Sequence, residues 1–186
     1  ANGSKLNCFK EKYPQRFIDV GIAEEHALVL ANAFAIEGQK PFVSIYSTFL
    51  QRGYDEIQQD LARMNGNVVI GIDRAGIVGE DGETHQGMFD VPMLTSIPNT
   101  AIYSPSCYAE LKMCLKKALY DEKGLAAVRY PRGQDNSTFD KSHLNTEYTF
   151  TEIQNSDMLL ITYGRIYDEL YKACLLYTSD AADEAR

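Results

Sequence analysis

The sequence predicts an α/β fold in which a parallel sheet is flanked by helices. Two features carry this. Apolar runs of four or five residues recur along the chain, rich in Val, Ile, Phe and Tyr and mostly continuous, as strands buried on both faces require. Helical patterns separate these runs, and strands alternating with helices mean βαβ units with helices on both faces of the sheet.

The first expected strand is 17–20. The helix after it, 24–37, is apolar on nearly every side and is expected to be buried, with Glu24 at its N-terminal end and Gly38 as its C′ residue. Residues 42–46 are the second strand. Residues 48–64 place Phe49, Ile57 and Leu61 on one helix face and leave Glu56, Gln59 and Asp60 for solvent. Strands follow at 68–72 and 101–104. The helix 106–120 begins after Pro105, with Ser106 suited to the N-cap and Glu110 one residue past the capping-box position. A further strand, 126–130, completes the first unit. The polar segment 134–151 reads as a linker or excursion. A strand at 158–162 and a helix at 163–173 then open a second α/β domain. The expected plan is a domain over 1–133, a linker over 134–151, and the start of a truncated domain over 152–173.

Residues 174–184 read Cys-Leu-Leu-Tyr-Thr-Ser-Asp-Ala-Ala-Asp-Glu and match the in-frame translation of a transposase sequencing adapter. On that reading 174–186 is not native sequence, and removing its net −2 leaves the rest at −6. The start at Ala1 and the incomplete second domain also suggest an internal fragment.

Composition bounds the function classes. A chain of 186 residues with 45% hydrophobic content can bury a core, which excludes disorder for most of it. The longest apolar stretch, 27–36, falls short of the roughly 20 residues a bilayer span needs. A net charge of −8 argues against a general nucleic-acid binder. Cys8, Cys107, Cys114 and Cys174 include no CxxC pair and no zinc-type spacing, so free thiols in a reducing compartment are expected.

In a parallel sheet, ligands sit beyond the C-terminal ends of the strands, so the polar residues at those ends are the ones to read. The loop 73–87 is rich in Gly and also carries Arg74, Asp81 and His85. It lacks the GK[ST] of a Walker loop and the GxGxxG of a dinucleotide fold, leaving an unspecified ligand loop or a surface turn. Glu24 opens an apolar helix, where a carboxylate gains from the helix dipole; it is either a cap or a buried acid able to exchange a proton with a ligand nitrogen. Arg132, held after Pro131, could clamp a phosphate with its planar fork or form a surface salt bridge. His26 lies within the apolar helix and reads as a core histidine, and His143 in the polar segment receives no role.

Read together, these loops resemble one family. Asp19-Val-Gly-Ile-Ala-Glu-Glu-His-Ala27 is similar to the motif opening the pyrimidine-binding domain of thiamine-diphosphate enzymes of the transketolase type. Tyr46-Ser-Thr-Phe-Leu-Gln-Arg-Gly-Tyr-Asp55, Asp73-Arg-Ala-Gly76, Gly82-Glu-Thr-His-Gln-Gly87 and Arg129-Tyr-Pro-Arg-Gly133 resemble the 1-deoxy-D-xylulose-5-phosphate synthase branch, in the order of that family. The resemblance covers about residues 5–173. It implies a homodimeric, cytoplasmic transferase that uses thiamine diphosphate and Mg2+. That enzyme condenses pyruvate with D-glyceraldehyde 3-phosphate, releases carbon dioxide, and feeds isoprenoid, thiamine and pyridoxal synthesis.

Residue roles come with the resemblance. Glu24 matches the glutamate that faces the aminopyrimidine ring of the cofactor, Phe49 the residue that stacks on it, and Ile22 the apolar prop that keeps the cofactor bent. Arg74 and Arg132 match phosphate-binding arginines, with Tyr46 beside them and Arg52 a further polar residue of that pocket. His85 and Asp81 match groups near the reacting carbonyl, His85 as a proton donor to the acceptor oxygen and Asp81 as a positioning group. Glu25 stands where the branch has Gln; its side chain is expected to point to solvent. The diphosphate and metal ligands of the family belong to a GDG-type motif in an N-terminal domain, and this chain carries none of it. Two alternatives remain: another thiamine-diphosphate enzyme, such as transketolase or the β subunit of a 2-oxo-acid dehydrogenase, and a non-catalytic α/β assembly domain.

Overall fold

The computed structural model describes residues 3–135 and 159–183. Its centre is a four-stranded, wholly parallel sheet of β1 (Phe42–Tyr46), β2 (Val69–Asp73), β3 (Thr100–Tyr103) and β4 (Leu125–Arg129), in the order β1-β2-β4-β3. Each strand lies within one residue of its expected place. The two central strands are the continuous apolar runs: the first four residues of β2 and of β4 are all buried. In-register pairing sets Tyr46 against Asp73 and Ile72 against Arg129, which brings the polar C-terminal ends of three strands to one edge.

Alternation along the strands divides the core in two. Val43, Ile45, Ile70, Ile72 and Ala127 face a layer built by α2 (Glu24–Ile36), α3 (Ser47–Leu50), α4 (Asp90–Thr95) and a π-helical turn, Glu56–Ala62. Leu28, Leu50, Ile57, Leu61 and Leu94 fill that layer, all fully buried. Val69, Ala126 and Val128 face the other way, against Leu111, Leu115 and Ala118 of α5 (Tyr108–Tyr120). Helices on both faces is what a parallel sheet demands. Gly53 permits the close packing of the first layer, since a Cβ there would collide with Leu28. A short N-terminal helix, α1 (Asn7–Lys12), buries no residue of its own. The last element is α6 (Ile166–Asp183). Among the described residues no helix is long and apolar enough to cross a membrane.

The structure corrects several expectations. Residues 17–20 form no strand: Phe17 is extended, but β1 pairs with β2 alone and no described segment offers 17–20 a partner. Ile18 is accordingly exposed. Helix α2 is not buried all round. Only Leu28, Ala31 and Asn32 are buried, whereas Val29 and Ile36 face solvent, because α2 packs on β1 and the 51–62 segment along one side only. The expected single helix 48–64 is broken into α3, a 3₁₀ turn Gln51–Gly53 and the π turn. Phe49, Ile57 and Leu61 nonetheless share the first layer, Phe49 half-buried against it and the other two fully buried.

Cys107, not Ser106, caps α5: its backbone is extended and its Sγ accepts from Glu110 N. With the cap one residue later, Glu110 stands at the capping-box position and its carboxylate accepts from Ser106 N at 2.6 Å. Residues 159–162 are not a strand, and Met158 lies outside the described residues, as do 136–151 of the expected linker with His143. The last helix starts three residues later than expected and runs on through the adapter-like residues to Asp183.

Candidate active site

The site lies at the C-terminal edge of the sheet. Gly21, with φ +72°, turns the chain into α2, and its N–H donates to Asp19 Oδ1 at 3.2 Å. Glu24 is thereby set in the first turn of α2, where no side chain caps the helix and the free N–H groups favour an anion. The Glu24 side chain is only 12% exposed, and Arg52 approaches both its oxygens at 3.3 and 3.4 Å.

From Arg52 an unbroken line of contacts crosses the site. The Arg52 guanidinium lies 5.1 Å from the Phe49 ring centre. Phe49 stacks on Tyr46 at 5.7 Å and meets the His85 ring edge-on at 5.2 Å. The Arg74 guanidinium sits 3.9 Å over Tyr46. Arg74 Nε donates to Asp81 Oδ2 at 2.6 Å and its Nη1 to Asp73 at 3.3 Å. The other Asp81 oxygen accepts from Arg132, whose Nη2 also meets Glu80 at 3.0 Å. Burial raises the Asp73 carboxyl above the usual carboxylate range, although the Arg74 charge beside it opposes this.

Backbone geometry explains why residues far apart in sequence converge here. Tyr130 N donates to Ile72 O, and Ala75 N to Tyr130 O, both at 3.0 Å, so the chain leaving β4 stays bonded to the chain leaving β2. That holds Arg132 beside Arg74. Arg74 itself has φ +59°, a left-handed conformation rare for a side chain of this size and of the kind that clusters at functional sites. The loop returns through paired hydrogen bonds between Gly76 and Gly87 at 2.7 and 2.8 Å. Gly87 is required there because a Cβ would run into the Arg74 carbonyl and Ser47. Between these glycines the Gln86 side chain accepts from Val78 N at 2.8 Å and donates to Val78 O and Gly82 O. Thr48 donates to Thr84 O at 3.2 Å, and Thr84 Oγ1 lies 2.9 Å from His85 Nδ1, which fixes His85 against Phe49.

The structure therefore gathers Glu24, Arg52, Phe49, Tyr46, His85, Arg74, Asp81 and Arg132 into one connected group. Ile22 is not gathered: it is 90% exposed. Arg52 stands at the Glu24 end of the line and not beside the other two arginines. Sequence reasoning missed Gln86, which braces the Gly-rich loop, and the Asp90–Arg129 pair beneath it. Arg129 Nε and Nη2 donate to the two oxygens of the fully buried Asp90 at 2.8 and 3.2 Å. An Asp opening a helix, with an Arg at the end of a buried strand, was the available signal. A cavity of about 260 Å³ adjoins the site, walled by Ser47, Thr48, Gln51, Tyr54, Gln86 and Phe89.

The aminopyrimidine end of a thiamine cofactor fits what is present: a largely covered carboxylate at a helix N-terminus, with an aromatic ring beside it. A metal has no such counterpart. Among the described residues no cluster of three or more His, Cys, Asp or Glu could hold one.

Comparison with known proteins bears on the family and the fold. Residues 1–136 match the family model of the transketolase pyrimidine-binding domain. The chain is 48% identical over 166 residues to a 1-deoxy-D-xylulose-5-phosphate synthase of Listeria welshimeri, covering 87% of the chain and 26% of that protein. It is 53% identical over 135 residues to the synthase of Clostridium kluyveri, covering 73% of the chain and 22% of that protein. Among solved structures it resembles a split-gene transketolase described as an inactive beta4 tetramer. The TM-score is 0.65 at 26% identity, covering 75% of this chain and 45% of the other. Transketolase from Campylobacter jejuni gives a TM-score of 0.56 at 26% identity, covering 60% of this chain and 18% of the other. The chain thus spans about a quarter of the length of these curated relatives.

Proposed function

The chain belongs to the transketolase pyrimidine-binding domain family, and on that premise we propose that it forms the pyrimidine and acceptor part of a 1-deoxy-D-xylulose-5-phosphate synthase. The complete protein condenses pyruvate with D-glyceraldehyde 3-phosphate and releases carbon dioxide. One observation carries the reading: a covered carboxylate, an aromatic ring, a histidine and two arginines form one connected group at the sheet edge. Identity of 48–53% to synthases over most of the chain supports it.

Bound thiamine diphosphate supplies the carbon nucleophile. Glu24 holds the aminopyrimidine ring nitrogen and exchanges a proton with it. Phe49 offers the flat apolar surface against which that ring lies. Arg74 and Arg132 bind the acceptor phosphate with their planar forks, and Tyr46 supports Arg74 from below. His85 donates a proton to the acceptor carbonyl oxygen as it gains charge.

Diphosphate and Mg2+ are held by the N-terminal domain of the complete protein. The exposed apolar side chains of Ile22, Ile77 and Phe89, each within four residues of a site residue in sequence, suit contact with that domain or a second subunit. The isolated 186-residue chain is accordingly proposed to be inactive and to bind the cofactor weakly. As a homodimeric cytoplasmic enzyme the complete protein would serve isoprenoid, thiamine and pyridoxal synthesis.

The test uses the full-length protein from the source locus, assayed with pyruvate and thiamine diphosphate. Carbon dioxide release and product formation should depend on D-glyceraldehyde 3-phosphate. A preference for ribose 5-phosphate or lipoamide as acceptor overturns the reading. In the same assay His85→Ala should lower kcat at least about tenfold, the low side of what a general acid contributes. Unchanged kinetics would remove His85 from the chemistry.

A further inference from the structure

The two arginines assigned to phosphate are already paired with an internal anion. Each oxygen of Asp81 takes one guanidinium, Oδ2 from Arg74 at 2.6 Å and Oδ1 from Arg132. Asp73 and Glu80 add second carboxylates to the same two arginines, and the Lys5 charge also acts on Asp73. A phosphate dianion entering this group would meet three carboxylates already seated on its two arginines. It would compete for the hydrogen bonds that Asp81 now accepts from both guanidiniums.

We propose that Asp81 is an internal stand-in for the acceptor phosphate, and that ligand binding displaces it from Arg74 and Arg132. The proposal rests on the phosphate-binding reading of those arginines. Its consequence is selectivity. In the absence of ligand the carboxylate keeps both guanidiniums side by side, at a cost to affinity that a phosphate dianion overcomes better than a singly charged or neutral acceptor.

The loop is built to allow the exchange. Asp81 lies on a short turn, Gly79–Asp81, whose two ends are both held by Gln86, through Val78 and Gly82. Gly82 has φ +78°, and a Cβ at Gly79 or Gly82 would meet nothing within 4 Å. The tip can therefore yield while its base stays fixed. His85, beyond Gly82, is held separately through Thr84 and Phe49. Displacing Asp81 thus need not move the histidine.

The experiment compares the full-length protein with its Asp81→Asn and Asp81→Ala variants, after checking that all three melt alike. The probe is inorganic phosphate, followed by titration calorimetry at low salt and independent of turnover. Loss of the competing carboxylate should tighten phosphate binding about tenfold, less at high salt as screening grows. In parallel, KM for D-glyceraldehyde 3-phosphate should fall relative to KM for unphosphorylated D-glyceraldehyde. If wild type binds phosphate and neither variant binds it more tightly, the stand-in role is overturned and the phosphate site survives. If no form of the protein binds phosphate, both fail together. If one variant melts early, the other decides.

Discussion

Replacing Glu24 by Gln in the full-length protein is expected to lower kcat by about 10²–10⁴-fold, the range for loss of a positioned proton-transfer group. Gln keeps the length and shape of the side chain and can still accept a hydrogen bond, but it cannot take or give the proton. The site explains why no other group substitutes. Glu24 is set by the Gly21 turn and the first turn of α2, and its side chain is largely covered. Glu25, the adjacent carboxylate, is on the next position of the helix and projects about 100° away. Stability should change little, since Glu24 pairs with a half-exposed Arg52 and such pairs contribute about 0–1 kcal/mol. Arg52→Met separates the two functions of the contact: it removes the ion partner and leaves the carboxylate, so its effect on kcat should be far smaller. The measurement is steady-state kinetics of both variants with saturating thiamine diphosphate. A Glu24→Gln enzyme within threefold of wild type would falsify the assignment.

The sheet was legible because it is wholly parallel and covered on both faces. Such strands read as unbroken apolar runs, and 42–46, 68–72, 101–104 and 126–130 each fall within one residue of a real strand. The same rule failed at 17–20, where Phe-Ile-Asp-Val has much of the composition of a strand but no neighbour to pair with among the described residues. Strand propensity describes a side chain's fit to a pleated surface, and the ladder partner is a tertiary fact. Helix α2 failed for a related reason: composition gives the number of apolar residues and cannot say how many faces will be covered. Val29 and Ile36 remain exposed because the described chain supplies one neighbouring layer.

Within the site, motif positions were legible and pairings were not. Arg74, Asp81 and Arg132 were each marked by their loops, yet that one carboxylate bridges both arginines follows from the hydrogen bonds joining residue 130 to 72 and 75. Arg52 was expected near the phosphate. The 3₁₀ turn at Gln51–Gly53 rotates it toward Glu24 instead.

The second large effect is on stability. Asp90→Ala is expected to destabilise the domain by about 3–5 kcal/mol, the range for breaking a buried ion pair from one side. Asp90 is fully buried, and its two oxygens take two parallel hydrogen bonds from Arg129, which is itself only 12% exposed and also donates to Ser104 at 3.1 Å. Removing the carboxylate leaves a guanidinium in the protein interior with only neutral partners among the described residues, the Ser104 hydroxyl and the Tyr163 ring. For a domain of this size that corresponds to a fall in melting temperature of roughly 10–20 °C. The pair joins the first residue of α4 to the last of β4, three residues before Arg132, so phosphate affinity should weaken as well. The double variant Asp90→Ala with Arg129→Met tests the cause. If the penalty is the stranded charge, removing Arg129 recovers much of the lost stability, because apolar replacement of both partners is often nearly neutral. If the cavity left by Asp90 is the cause, the double variant melts no higher than Asp90→Ala. Differential scanning fluorimetry of the full-length protein and its three variants, Arg129→Met included, separates the two outcomes.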